Sequence, residues 1–167
     1  MPILVSDTSV LIDIERASLM ARLFALPHDF VVPDLLFDRE LASHGGDDLV
    51  ARGLRIEDLS GAEVQLAAQV RRHNGALSLP DAYAFSLARE RGWTLLTGDG
   101  QLRALARRAR LPMHGVLWLF DELEVHEVCS SNELNDGLTA LSAHPRCRLP
   151  RTEIRLRLDR YRSAEST

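Results

Sequence analysis

The sequence predicts an α/β domain built on a mostly parallel sheet with helices on both faces. Short apolar runs, Ile3-Leu4-Val5, Phe30-Val31-Val32 and Trp93 to Thr97, have the length and density of strands buried on both sides. They alternate with amphipathic stretches that open on capping signals and close on glycine. The chain has 167 residues, 46% apolar and 26% charged, which suits one compact globular domain with an ample core.

Each element follows from local signals. The first strand ends at the polar trio Ser6-Asp7-Thr8, and a single helix is expected over Ser9 to Leu26, with Leu11, Ile12, Leu19, Leu23 and Phe24 on its core face. Pro33 stops the second strand, and a helix resumes at Asp34, whose carboxylate is placed to cap it. Gly45-Gly46-Asp47-Asp48 reads as a turn, followed by a short strand at Leu54 to Leu59. Ser60 three residues before Glu63 forms a capping box that opens a helix running to Arg72. Pro80 begins the next helix, where a missing N–H costs nothing, and Gly92 ends it. Trp93 to Thr97 is a strand, Gln101 to Ala109 a helix, Met113 to Val116 the last strand and Leu117 to Leu123 a helix. Beyond these, Asn132 to Ala143 reads as a helix before a loop at Pro145. Helical spacing of Ile154, Leu158 and Tyr161 after Pro150 favours a final helix over a strand.

No apolar run approaches the ~20 residues needed to cross a bilayer, and the start Met1-Pro2-Ile3-Leu4-Val5 lacks signal-peptide character, so a cytoplasmic location is expected. Cys129 and Cys147 are too few for a secreted disulfide framework. Each follows a histidine by three positions, His126 and His144, a spacing compatible with four zinc ligands as well as with two ordinary thiols. The net charge of −4 divides unevenly: residues 1–145 hold 13 arginines and 21 acids, residues 146–167 hold 7 arginines and 3 acids, and lysine is absent. An acidic body therefore carries a basic C-terminal segment.

Four acids stand out. Asp7 and Asp99 follow strands directly, where open parallel sheets bind ligands. Alone, each would pass for a turn residue or helix cap. Glu40 shares a helix face with Leu36 and Phe37, and Asp81 precedes Ala84 and Phe85 on the inward stripe of its helix. Acids are almost never fully buried unless paired or bound to a metal. Two unit charges at ~4 Å repel by roughly 1 kcal/mol in water and several-fold more in a partly buried cleft. With no lysine, compensation falls to arginine, protons or a cation, and an all-oxygen donor set favours Mg²⁺ or Mn²⁺.

Val5-Ser6-Asp7-Thr8-Ser9, Val32-Pro33 followed by Glu40-Leu41, Leu77-Ser78-Leu79-Pro80-Asp81-Ala82 and Leu96-Thr97-Gly98-Asp99 resemble, in order, the acidic motifs of PIN domains. Among these the chain is most similar to bacterial VapC-like toxin ribonucleases, over about residues 1–125, including the closing His114-Gly115-Val116-Leu117-Trp118-Leu119. The resemblance implies strand order 3-2-1-4-5 and a pocket for one or two Mg²⁺ or Mn²⁺ ions. It makes Asp7, Glu40, Asp81 and Asp99 the catalytic, metal-binding quartet, with Ser9 and Thr97 as hydroxyls that orient them. It further implies hydrolysis of single-stranded or loop RNA, a cognate antitoxin partner and a homodimer.

The domain expected from this is residues 1–125, with 126–167 a helical, arginine-rich extension packing on the same domain or on a partner. Its arginines, Arg146, Arg148, Arg151 and Arg155 among them, are candidates for RNA-backbone contact or for a solvated helix face. Arg71, Arg72, Arg107, Arg108 and Arg110 are similar candidates. Several other classes fail. A receiver-type phosphotransfer domain would want a lysine, a haloacid-dehalogenase-like phosphatase an aspartate at position 9 (here serine), and nucleotide folds a glycine-rich fingerprint. The six histidines are scattered, giving no anchor for a hydrolase triad. Two readings remain beside the ribonuclease: a catalytically silent PIN-like regulatory or RNA-binding module, and a DNA-directed structure-specific nuclease.

Overall fold

The computed structural model describes residues 2–166. They fall into two compact units: the chain up to Val10 together with Pro27–Gly115, and Leu11–Leu26 together with the chain from Val116 onward.

The first unit is built on a five-stranded sheet in the order β3-β2-β1-β4-β5, with every pairing parallel. Its strands are β1 (Ile3–Ser6), β2 (Asp29–Pro33), β3 (Arg55–Glu57), β4 (Thr94–Leu96) and β5 (Met113–His114). The expected order is therefore observed. Leu4 lies opposite both Phe30 of β2 and Thr94 of β4, so β1 is central. Val5, Val31 and Leu95 are completely buried and form one core with Phe85, Leu87, Ala88 and Leu102. Helices α5 (Gly61–His73) and α6 (Leu79–Arg91) pack on each other, and α6 also contacts β1, β2 and β4. The chain leaves β1 toward β2 on one side, while β4 enters on the other. The carboxyl ends of β1 and β4 thus flank the crevice where parallel sheets bind ligands.

Capping chemistry sets the helix starts much as expected. Ser60 and Glu63 form the reciprocal capping box of α5. Ser78 caps α6, placing Pro80 in the first turn, and Gly92 closes that helix with φ 67°. Asp99 caps α7 (Gly100–Arg108) by accepting from the Leu102 amide. Asp34, in contrast, does not cap α3 (Asp34–Leu36): Pro33 occupies the cap position, and the Asp34 carboxylate binds the adjacent Leu35 amide.

Two further expectations about this half of the chain need correction. Gly45-Gly46-Asp47-Asp48 is the start of a helix, α4 (Gly46–Arg52), with only Gly45 in the left-handed region at φ 81°. The glycine pair reads as a turn, but Gly46 is required by crowding. A Cβ there would lie 2.7 Å from the Leu41 carbonyl oxygen and 2.8 Å from the Phe37 ring. Gly46→Ala is accordingly expected to destabilise the protein by about 1–3 kcal/mol through overpacking, seen as a lowered Tm in thermal melts. An unchanged Tm would refute the close approach. The second correction concerns α3, which does not continue as an α-helix. Residues Phe37–Leu41 form a π-helical turn, marked by the Ala42 amide donating to the Phe37 carbonyl at 2.8 Å.

The second unit holds most of α1 (Thr8–Arg16), which begins in the first, with α2 (Met20–Leu23), α8 (Val116–Val125), α9 (Ser131–Ala143) and α10 (Arg151–Glu165). The single helix expected over Ser9 to Leu26 is broken at Ser18, which takes φ 58°. Leu19 N–H binds the Ile14 carbonyl and Ser18 N–H the Glu15 carbonyl, a Schellman closure with serine where glycine is usual. The paired burial of Ile14 and Leu19, at 0% and 4% exposure, supplies the apolar contact that accompanies this motif. The helix favoured after Pro150 is present as α10, packed on α9, with Ile154 and Tyr161 buried. It is tied to α8 by Arg157, which grips both oxygens of Asp121 at 2.8 and 2.7 Å, and by Arg160, which bridges Asp121 and Glu124. His126, Cys129, His144 and Cys147 do not gather: no three of them bring ligand atoms together among the described residues. Cys129 is buried, and desolvation pushes its thiol up to about 11.

Candidate active site

At the end of β1, Asp7 is 1% exposed, between the fully buried Ser6 and the first turn of α1. Its carboxylate is held on both oxygens. Oδ1 accepts from the Ser9 hydroxyl at 2.7 Å and the Val10 amide at 3.1 Å, while Oδ2 accepts from the Thr97 hydroxyl across the β1–β4 seam. Thr97 is itself fully buried and receives the Asp99 amide at 3.0 Å. Ser9 receives the Gly98 amide at 3.1 Å. The two strand ends are therefore stitched together by hydroxyls that carry Asp7 between them.

Glu40 joins from the π-helical turn. Its Oε2 accepts from the Thr8 hydroxyl, so the carboxylate points toward the end of β1. Glu40 therefore faces the end of β1 from a π turn and not from the α-helical face that its spacing predicts. The extra residue in a π turn re-aims the side chains that follow it, a device frequent at functional sites. Asp38 in the same turn is exposed. Asp81 occupies the third residue of α6 with its amide on Ser78 Oγ at 3.2 Å, and Asp99 commits one oxygen to capping α7.

Electrostatics shows that the four acids share one region. Asp81 is pushed up to about 6, first by desolvation and next by the charge of Asp7, with Asp99 and Glu40 adding to the rise and the Ser78 hydroxyl opposing it. Burial also raises Asp7 above the ordinary carboxylate range, against the lowering effect of Thr97, Ser9 and the Val10 amide. Among the described residues no arginine lies within ion-pair distance of any of the four. Nor do any three of them bring an oxygen each within 4.8 Å of one another, as mutual repulsion dictates. Four acids with no arginine beside them offer only oxygen donors, which suit a hard divalent cation that keeps much of its water, taking one or two carboxylates directly and the others through water.

The family model described as a PIN domain, DUF3368, matches residues 3–163. The chain belongs to the PIN-domain family. PIN domains are generally metal-dependent nucleases that use divalent ions, and Asp7 and Asp99 follow the ends of β1 and β4, where open parallel sheets bind ligands. The match continues past residue 125, where the motif resemblance stops, and takes in α9 and most of α10. Among solved structures, the chain is similar to a PilT N-terminus domain protein, SSO1118, from Sulfolobus solfataricus, with TM-score 0.52 and 16% identity over 73% of this chain and 94% of that one. At that identity the likeness concerns the fold alone. No curated protein matches.

The sequence reading missed Thr8, which holds Glu40, and Ser78, which caps the helix of Asp81. Both carried a signal: Thr8 belongs to the polar trio ending β1, and Ser78 stands three residues before an acid at a helix start. Arg103 was also missed. It donates to the Thr97 carbonyl at 3.2 Å, and its guanidinium fills the space over Gly115, where a Cβ would come within 3.1 Å.

Proposed function

We propose that this PIN-domain protein is an endoribonuclease that hydrolyses phosphodiester bonds in single-stranded or loop RNA. In this reading Asp7, Glu40, Asp81 and Asp99 hold Mg²⁺ or Mn²⁺, and Ser9 and Thr97 orient Asp7. The observation that carries it is a buried Asp7 fixed on both oxygens beside three further acids, with no arginine in ion-pair distance among the described residues to balance them. A binding module without catalysis would gain nothing from that arrangement, because unbalanced buried acids oppose folding. The RNA preference, the toxin role with a cognate antitoxin and the homodimer are what the VapC-like motifs support, and the cytoplasmic setting is supported by the lack of signal-peptide character at the start of the sequence. No helix among the described residues is long and apolar enough to cross a membrane.

Bound in the cleft, the divalent ion would supply the positive charge that lowers the pKa of an attacking water and offsets the charge of the phosphate. The protein's own part is positioning. Ser9, Thr97 and the Val10 amide prevent Asp7 from rotating, Thr8 holds Glu40, and the capping bond of Asp99 leaves its second oxygen for the cleft.

Purified protein, free of any partner, is expected to cut 5′-labelled single-stranded RNA with Mn²⁺ or Mg²⁺ and to stop when chelator is added. The same sequence as single-stranded DNA, and as a structured DNA flap, should survive. Cleavage that continues in chelator would reject the metal reading, and preferential cutting of the flap would replace the RNA reading by the DNA one.

A further inference from the structure

The seven arginines of the C-terminal segment are not equivalent. Arg157 and Arg160 are committed to Asp121, Glu124 and Glu153. Arg162 has only a long, exposed contact with Asp159 at 3.9 Å, which stabilises little. Arg146, Arg148, Arg151 and Arg155 make no ion pair among the described residues. On α10, residues 151, 155, 158 and 162 follow helical spacing and lie along one face. That face is concave. Arg151, Arg155 and Arg162 rim a cavity of about 320 Å³ whose lining includes Ile154, Leu158 and the Cys147 thiol, with Asp159 the lone acid on it.

A solvated charged face commonly balances its charges along the helix, as Arg157 does with Glu153 four residues away. Here sparsely paired guanidinium groups surround an apolar floor in a space of the size that small ligands fill. Arginine forks match phosphate oxygens, and the aliphatic side chains of Ile154 and Leu158 offer apolar contact to a base. An acidic side chain of a protein would satisfy the rim but leave the floor unfilled. We infer that the groove on α10 formed by Arg151, Arg155, Arg162, Ile154 and Leu158 seats a nucleotide of single-stranded nucleic acid, with its phosphates on the arginines. The choice of nucleic acid as occupant rests on the nuclease reading above.

The test uses the full chain and a fluorescein-labelled single-stranded RNA octamer in chelator, so that nothing is cut. Arg151→Ala/Arg155→Ala, two exposed changes whose folding is checked by thermal melting, should weaken binding about tenfold and reduce the salt slope by roughly 0.7 for each phosphate no longer neutralised. Arg52→Ala/Arg55→Ala removes the same charge from exposed positions in the other unit and should do neither. Cys147 supplies a local reporter, because Cys129 is buried and its thiol raised by desolvation. Saturating octamer should slow alkylation of Cys147 at least about fivefold in the wild type and not in the double variant. Bound octamer that leaves Cys147 fully reactive would overturn the groove, and so would equal losses in the two double variants. Protection by polyglutamate but not by the octamer would overturn it in favour of an acidic protein segment. Metal-dependent cleavage of the same octamer, run in parallel, separates loss of this inference from loss of the nuclease reading.

Discussion

Asp7→Asn is expected to lower RNA cleavage by at least about 100-fold, the range seen when one charged or donor group is removed from a catalytic centre, while the protein stays folded and melts no lower than the wild type. The two halves of this expectation have separate causes. Asparagine has the shape of aspartate, and its oxygen still accepts from Ser9 and the Val10 amide. Its NH₂ group faces the Thr97 hydroxyl, which already accepts from the Asp99 amide and can turn to accept again. The backbone therefore has no reason to move. The negative charge disappears, and with it the attraction for a cation at the most buried point of the cleft. Removing a charge that burial disfavours should even raise the Tm of metal-free protein. Turnover within tenfold of wild type would show that Asp7 is a structural acid and that the reacting centre lies elsewhere. A large fall in Tm would show that the carboxylate, rather than the fold around it, holds β1 to β4.

Asp81 should make the metal-free protein less stable as the pH rises. Its pKa in the fold is about 6, against the ordinary 3.8, so between these values the folded chain retains a proton that the unfolded chain has released. Stability from this group is fully present below the unfolded pKa and is lost as pH climbs from about 4 through 6. Solvent screening at this partly buried position trims the effect to about 1–2 kcal/mol, or several degrees in Tm for a chain of this size. Asp81→Asn should accordingly raise the Tm in chelator at pH 7.5, and the gain should shrink as the pH is lowered toward 4. Mn²⁺ should raise the wild-type Tm at pH 7.5 and do much less for the variant, since a cation stabilises by binding only the folded cleft. Melts of the two proteins over pH 4–8, with and without Mn²⁺, check both parts. Parallel pH profiles for wild type and variant would mean that Asp81 is solvated as an ordinary surface acid.

The residues at the strand ends were the most legible in the sequence, because their signal is local. Asp7 and Asp99 follow apolar runs, and an acid at such a place needs no distant information to be noticed. Glu40 and Asp81 were found by counting along helices, and the count was sound for α6 but formally wrong for Glu40. Nothing in Phe37-Asp38-Arg39-Glu40-Leu41 announces a π turn, which depends on how Phe37 and Leu41 meet Gly46 in the folded chain. The same limit explains the break at Ser18. The apolar spacing continues through it, and the cap that stops α1 is set by backbone closure with serine in place of the usual glycine. Gly46 was read as a turn because glycine is ambiguous between freedom and lack of room, and only a tertiary neighbour distinguishes them. The arginines of the last segment were visible as a charge excess, but which of them are engaged depends on Asp121 and Glu124, in a helix more than thirty positions earlier.

The threonine that fastens Asp7 lies 90 positions further along the chain. While the protein is being synthesised, that aspartate emerges early and stays loosely hydrated until β4 has arrived and slotted in beside β1. An unfinished polypeptide thus carries the first acid of the quartet but not its anchor. On the nuclease reading proposed above, the anchored form of Asp7 would arise only together with the pairing of β1 and β4.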